Sequence, residues 1–196
     1  TQLRVDTLLG LFDVLGVDDV TLVGNSMGGI ISVAMALQEP ERVRAIVLMG
    51  TGGAPVPLTS GLLQLITFYD DPTAANMASL LMQFVHDPSY FGEDLDKIAE
   101  QRLPRAVRPE VERSHRATFG PGDGLGFTPE RIATIAQPAL VVHGDDDRIV
   151  PVASGEWFAE HLPNARLEVF PDTGHWLQIE QGPKFAGLLR TFLADA

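Results

Sequence analysis

The 196 residues contain no cysteine, which excludes disulfide frameworks, thiolate nucleophiles and thiolate metal sites and fits a reducing cytoplasm. Basic residues are few: 14 stand against 26 acidic ones, for a formal net charge of −12 at pH 7. A field of that sign repels nucleic acid and anionic membrane surfaces, so neither is expected as a partner. No apolar run is long enough for a membrane helix, and no basic segment leads into a shorter one, so neither a span nor a signal peptide is read. No Lys-Ser/Thr pair follows a glycine run, which removes a phosphate loop. The first residue is Thr1 rather than methionine, and a helical pattern of Leu3, Val5, Leu8, Leu9, Leu11 and Phe12 begins at once. The chain is therefore expected to have lost its beginning.

Hydrophobic residues make up 45% of the chain, enough to bury one compact core. Four aliphatic runs, at 20–23, 45–49, 139–143 and 167–170, are bounded by glycine, proline or charge and read as strands buried on both faces. Between them, 28–38, 151–161 and 183–193 read as helices. Alternation of this kind predicts an α/β parallel sheet with right-handed crossovers. It fails from 54 to 137, where apolar helical patterns at 62–68 and 77–85, Pro-Gly punctuation at 120–124 and a helix start at Thr128-Pro129 point to a helical insertion. The expected organisation is a core at 1–53, an insertion at 54–137 and a second core segment at 138–196.

The stretch Gly24-Asn25-Ser26-Met27-Gly28 lies between the first strand and the first crossover helix. G-x-S-x-G in that setting is a nucleophile elbow, a corner that lifts the serine clear of the sheet and points the free Met27 N–H at an oxyanion. A serine hydroxyl needs a base, and the base an orienting carboxylate. Both follow in the order this architecture requires. Gly144-Asp145-Asp146-Asp147 comes after the third strand, and Asp172-Thr173-Gly174-His175-Trp176 after the fourth. Asp147, three residues past Gly144, is the expected partner of His175, with Asp145 and Asp146 as alternatives. The aspartate run lacks the glycine and distal glutamate of a calcium loop, so no metal is expected. His86, His115, His143 and His161 lack the placement of His175 and read as surface or hydrogen-bonded histidines. Gly50-Thr51-Gly52-Gly53 imitates the start of a dinucleotide fingerprint, but Pro55 and Pro57 stand where its helix should begin.

With these residues in place the chain resembles the α/β-hydrolase superfamily and, more narrowly, the meta-cleavage-product hydrolases such as 2-hydroxymuconic semialdehyde hydrolase. The motifs that carry the likeness are GNSMGG, PERVRAIVLMG, VVHGDDDRIVP and DTGHWLQIEQGPKF. The resemblance implies a cofactor-free enzyme that cleaves a C–C bond in a 2-hydroxy-6-oxo-dienoate, an anionic small molecule, under a helical lid. It implies Ser26 as nucleophile, His175 as proton shuttle and Asp147 as its orienting partner. It also implies a grip on the substrate carboxylate by Asn25, Trp176 and the lid residue Arg108, which lies in a stretch, 102–116, holding five of the 14 basic residues. What is present corresponds to strands five to eight plus the lid. The first four strands and the second oxyanion donor are missing from the pattern, so 20–23 is expected at an uncovered sheet edge. A carboxylesterase and a slow or non-catalytic ligand-binding protein are the alternatives, since one fold hosts many functions. The sequence leaves homo-oligomerisation open.

Overall fold

The computed structural model describes residues 1–120 and 126–195; the turn expected at 120–124 falls outside them beyond Gly120. Among the described residues, β1 (Val20–Asn25), β2 (Val43–Met49), β3 (Ala139–Gly144) and β4 (Ala165–Phe170) form one parallel sheet in the order β1-β2-β3-β4. The helices are α1 (Gln2–Leu15), α2 (Met27–Gln38), α3 (Ser60–Ile66), α4 (Ala74–Met82), α5 (Leu95–Ala106), α6 (Pro109–Phe119), α7 (Pro129–Ile132), α8 (Val152–His161), α9 (Leu177–Glu180) and α10 (Gly182–Asp195).

Every aliphatic run becomes a strand. The strands extend past those runs because ladder pairing needs backbone, not apolar side chains. Arg166 pairs with Leu140, and Arg44 is the extra residue where the β1–β2 register shifts. Alternate residues serve opposite faces, as a two-residue period requires. Ile46, Leu48, Ala139 and Val141 join Val5, Val33, Met35, Ile132 and Phe158 from α1, α2, α7 and α8. Val47, Met49, Leu140 and Val142 join Phe170, Leu177 and Phe185 on the side of α9 and α10. Burial on both faces explains why β2 and β3 read as continuous apolar runs; β1 and β4, at the two ends of the sheet, are only partly covered, with Val23 and Val169 exposed, against the expectation that all four runs are buried on both faces. β1 pairs with β2 on one side only among the described residues.

Residues between β2 and β3 pack around an apolar cluster of their own, including Phe68, Met77, Leu80, Leu81, Val85 and Phe91. Its helices start earlier than their apolar patterns suggest, because threonines set the starts. Thr59 Oγ1 accepts from Leu62 N at 3.0 Å, and Thr73 Oγ1 accepts from Asn76 N at 3.2 Å. The basic stretch is split into α5 and α6 at Arg108 (φ −64, ψ 136), since Pro109 disfavours helical backbone in the residue before it.

Candidate active site

Ser26 sits on the corner between β1 and α2 with φ 56 and ψ −116, a region that costs roughly 1–3 kcal/mol for a non-glycine residue. The corner is held by its own backbone, with Ser26 N donating to Met49 O at 2.8 Å. Packing, too, dictates the glycines around it. A Cβ on Gly24 would collide with the backbone of Gly28, and one on Gly29 with the Thr51 side chain, whereas Gly28 itself faces open space. Around the corner it is Gly24 and Gly29, rather than Gly28, that packing requires to be glycine. The Met27 N–H, at the first position of α2, meets no acceptor among the described residues.

Asp147 and His175 come together from the loops after β3 and β4. His175 Nδ1 lies 2.7 Å from Asp147 Oδ2, with both side chains buried. Asp147 Oδ1 accepts from Ile149 N at 2.9 Å and Val150 N at 2.8 Å. Burial pushes the Asp147 carboxyl upward, but the His143 and His175 rings beside it outweigh that effect and hold it at about 2. The neighbouring acids have other partners. Asp145 Oδ1 accepts from Thr173 N at 3.4 Å, and half-exposed Asp146 meets His86 Nδ1 at 3.0 Å and the Arg148 guanidinium at 2.7 Å. His175 Nε2 is buried without a hydrogen bond among the described residues, so no bond joins it to Ser26 Oγ; such bonds are often long before substrate enters.

Two residues that the sequence reading kept outside the site lie around this pair. His143, on β3, is fully buried; its Nε2 contacts Val150 O at 2.9 Å and Asp147 Oδ2 at 3.4 Å. Gly50, at the end of β2, has φ 48, and a Cβ there would stand 2.9 Å from both Asp147 Oδ2 and His175 Nδ1. The glycine run that imitated a dinucleotide loop makes room for the acid–imidazole pair.

Two cavities adjoin the site and share Leu65 and His115. One, of about 430 Å³, is lined by Ser26, Met27, Ile30, Val56, Leu62 and Phe119 among others. The other, of about 810 Å³, is lined by Trp176, Phe84, Arg102, Arg105 and Gln101 among others. The expected trio of Asn25, Arg108 and Trp176 does not assemble. Arg108 is exposed at the break before α6 and lines neither cavity. Arg102, two turns earlier on α5, holds its guanidinium 5.7 Å from the Trp176 ring centroid, in cation–π range. Asn25 Nδ2 spends its two hydrogens on Met49 O (3.1 Å) and His175 O (3.3 Å), which leaves no donor for a carboxylate. It ties the elbow to the histidine loop instead. Trp176 does line the larger cavity, stacked on Phe84 with ring centroids 4.7 Å apart.

Among the described residues, no group of three or more His, Asp or Glu is arranged to hold a metal ion, and no helix is long and apolar enough to cross a membrane.

A strained serine after β1, an Asp–His pair on the loops after β3 and β4 and a helical segment between β2 and β3 define the α/β-hydrolase family, and the chain belongs to it: the family model described as alpha/beta hydrolase fold matches residues 11–181. A 2-hydroxymuconate semialdehyde hydrolase of Pseudomonas putida is 39% identical over 197 residues, covering 98% of this chain and 68% of the relative. A 2-hydroxy-6-oxononadienedioate/2-hydroxy-6-oxononatrienedioate hydrolase of Burkholderia vietnamiensis is also 39% identical, with the same coverage of both chains. Among solved structures, a serine hydrolase from the polyaromatic-hydrocarbon-degrading bacterium Cycloclasticus zankles superposes with a TM-score of 0.93 at 34% identity, covering 97% of this chain and 69% of that one. The 2-hydroxy-6-oxo-6-phenylhexa-2,4-dienoate hydrolase of a Rhodococcus strain gives 0.90 at 33%, with 97% and 69% covered.

Proposed function

We propose that the chain carries the catalytic apparatus of a serine-dependent hydrolase that cleaves the C–C bond of a 2-hydroxy-6-oxo-dienoate. Ser26 Oγ attacks the C6 carbonyl of the keto tautomer and gives its proton to His175 Nε2, while Asp147 holds the imidazole through Nδ1. The Met27 N–H stabilises the oxyanion. The C5–C6 bond then breaks, its electrons leaving as a dienolate that takes a proton to become the dienoic acid fragment. Water, deprotonated by His175, releases the acyl group from Ser26 as a carboxylic acid. The segment 54–137 acts as the lid. Its Arg102, rather than Arg108, receives the substrate carboxylate beside Trp176, since guanidinium pairs strongly with carboxylate. The lack of cysteine suits such work in the cytoplasm.

The observation that carries this reading is the buried Asp147–His175 pair at 2.7 Å beside a cavity that contains Ser26. The experiment is steady-state turnover of a 2-hydroxy-6-oxo-dienoate and of a neutral p-nitrophenyl ester by the chain and by Ser26→Ala, His175→Ala and their combination. Each single change lowers kcat by several orders of magnitude, and the pair adds little, because the members act as one unit. Ester turnover without dienoate turnover makes it a carboxylesterase. Additive losses sink the triad.

A further inference from the structure

One carboxylate fastens the histidine loop to the lid. Glu180, at the end of α9, accepts backbone N–H groups from two distant segments: His86 N at 2.7 Å through Oε2 and Gly174 N at 3.0 Å through Oε1. Beside this, Trp176 N donates to Phe84 O at 3.0 Å. The two backbones run so close that a Cβ on Gly174 would stand 2.7 Å from His86 N. The Phe84 ring lies over Trp176 and 5.5 Å from the His175 ring centroid. Asn25 holds the His175 carbonyl from the other direction. The peptide that follows His175 is therefore tied at both its carbonyl and its N–H, and the amide of Gly174 is tied through Glu180.

We propose that Glu180 is a positioning residue for His175. Its carboxylate locks the lid segment 84–86 against the loop 173–176, so the alignment of the imidazole with Ser26 depends on that lid segment being seated. The proposal rests on the reading of Ser26 and His175 as nucleophile and base. A carboxylate suits the task because it only accepts and has two oxygens, whereas an amide in its place turns an NH₂ toward one of the backbone donors. Without it, both N–H groups lose their acceptor and the loop gains freedom beside an imidazole whose Nε2 has no partner among the described residues. A misdirected base slows attack by serine without removing any contact to substrate, so kcat suffers and KM does not.

The test uses the full chain and Glu180→Ala, Glu180→Gln and Glu180→Asp. Three things are read: kcat and KM on a 2-hydroxy-6-oxo-dienoate, the rate at which a fluorophosphonate labels Ser26, and amide hydrogen exchange of peptides spanning 83–88 and 172–177. In the Ala and Gln variants kcat and labelling rate fall together by roughly 10–10²-fold, as expected for a misplaced catalytic group. KM stays within about threefold, and exchange rises in both peptides while β2 and β3 remain protected. The Asp variant, one methylene shorter but still charged, falls between these and the parent, and decides the matter if the other two do not fold. Unchanged labelling, exchange that rises in one peptide only, or loosening of β2 and β3 as well overturns the proposal. Labelling of Ser26 in a chain that leaves the dienoate intact overturns the substrate reading alone. Absence of labelling overturns both.

Discussion

Asp147 Oδ2 lies 2.7 Å from His175 Nδ1, and neither side chain meets solvent. The carboxyl is held at about 2 against an ordinary 3.8, so the folded state favours its anion. The sign follows: stability from this group is fully present above 3.8 and is lost as pH falls through about 2. Asp147→Asn should therefore remove a share of acid sensitivity worth about 2 kcal/mol, seen as a smaller difference between denaturant unfolding free energies at pH 5 and near pH 2 than in the parent chain. In the same variant kcat at neutral pH should drop by about 10³–10⁴, since the wrong imidazole tautomer is then favoured. Asp146→Asn, at a half-exposed carboxylate paired with His86 and Arg148, should stay within a few-fold. A reversed ranking of the two would show that the orienting acid is misassigned.

Arg102 and Arg108 separate by substrate. Arg102→Gln should depress kcat/KM on the dienoate by about two- to fivefold, since Arg102 is exposed and an exposed ion pair is worth up to about 1 kcal/mol, while hydrolysis of p-nitrophenyl acetate stays near the parent rate. Arg108→Gln, at the exposed break before α6, should change neither. Comparable losses on both substrates in Arg102→Gln would make that arginine a structural prop for Trp176.

The sheet was legible because its central strands β2 and β3 are buried on both faces, so that Ala45 to Met49 carries no polar residue. The positions of Ser26, Asp147 and His175 were legible because each follows a strand. Where Arg108 and Asn25 would stand was not legible, since that depends on backbone breaks and on which polar group is already spent. Pro109 ends α5 before Arg108 and so turns that residue out of the cavity, and the two amide hydrogens of Asn25 are taken by carbonyls from β2 and the histidine loop. His143, read as a surface or hydrogen-bonded histidine, is hydrogen-bonded, but its place beside Asp147 was not legible because the contact is made across a loop.

Gly50 gives a steric test of the site. Its φ of 48 and the 2.9 Å approach of a Cβ to both Asp147 Oδ2 and His175 Nδ1 mean that Gly50→Ala must push the acid and imidazole apart or shift β2. A displacement of about 1 Å at a catalytic group costs on the order of 10² in rate. The variant should fold, bind substrate with little change in KM and lose kcat by about that factor. Gly28→Ala, where a Cβ meets nothing within 4 Å, is the matched control and should leave kcat within a few-fold. Parent-like activity in Gly50→Ala would mean the pair can relax without cost.

The last prediction concerns the acyl half of the substrate. The cavity that holds Ser26 is lined by Ile30, Val56, Leu58, Leu62, Phe119 and Val150, and its lining contains no lysine or arginine among the described residues. A substituent on C6 that bears its own carboxylate would have to enter that space without a cationic partner, and an uncompensated buried charge costs about 3–5 kcal/mol. Substrates with hydrogen or methyl at C6 should therefore exceed a dicarboxylate analogue in kcat/KM by roughly 10²–10³. The preference should be read in competition, with both substrates in one reaction, so that a change in active enzyme concentration cancels. Leu62→Arg, which brings a cation to the cavity wall, should raise the relative rate of the dicarboxylate while lowering that of the methyl compound. If parent and variant treat the two substrates alike, the acyl group does not occupy the Ser26 cavity, and the larger cavity around Trp176 must take both ends of the molecule.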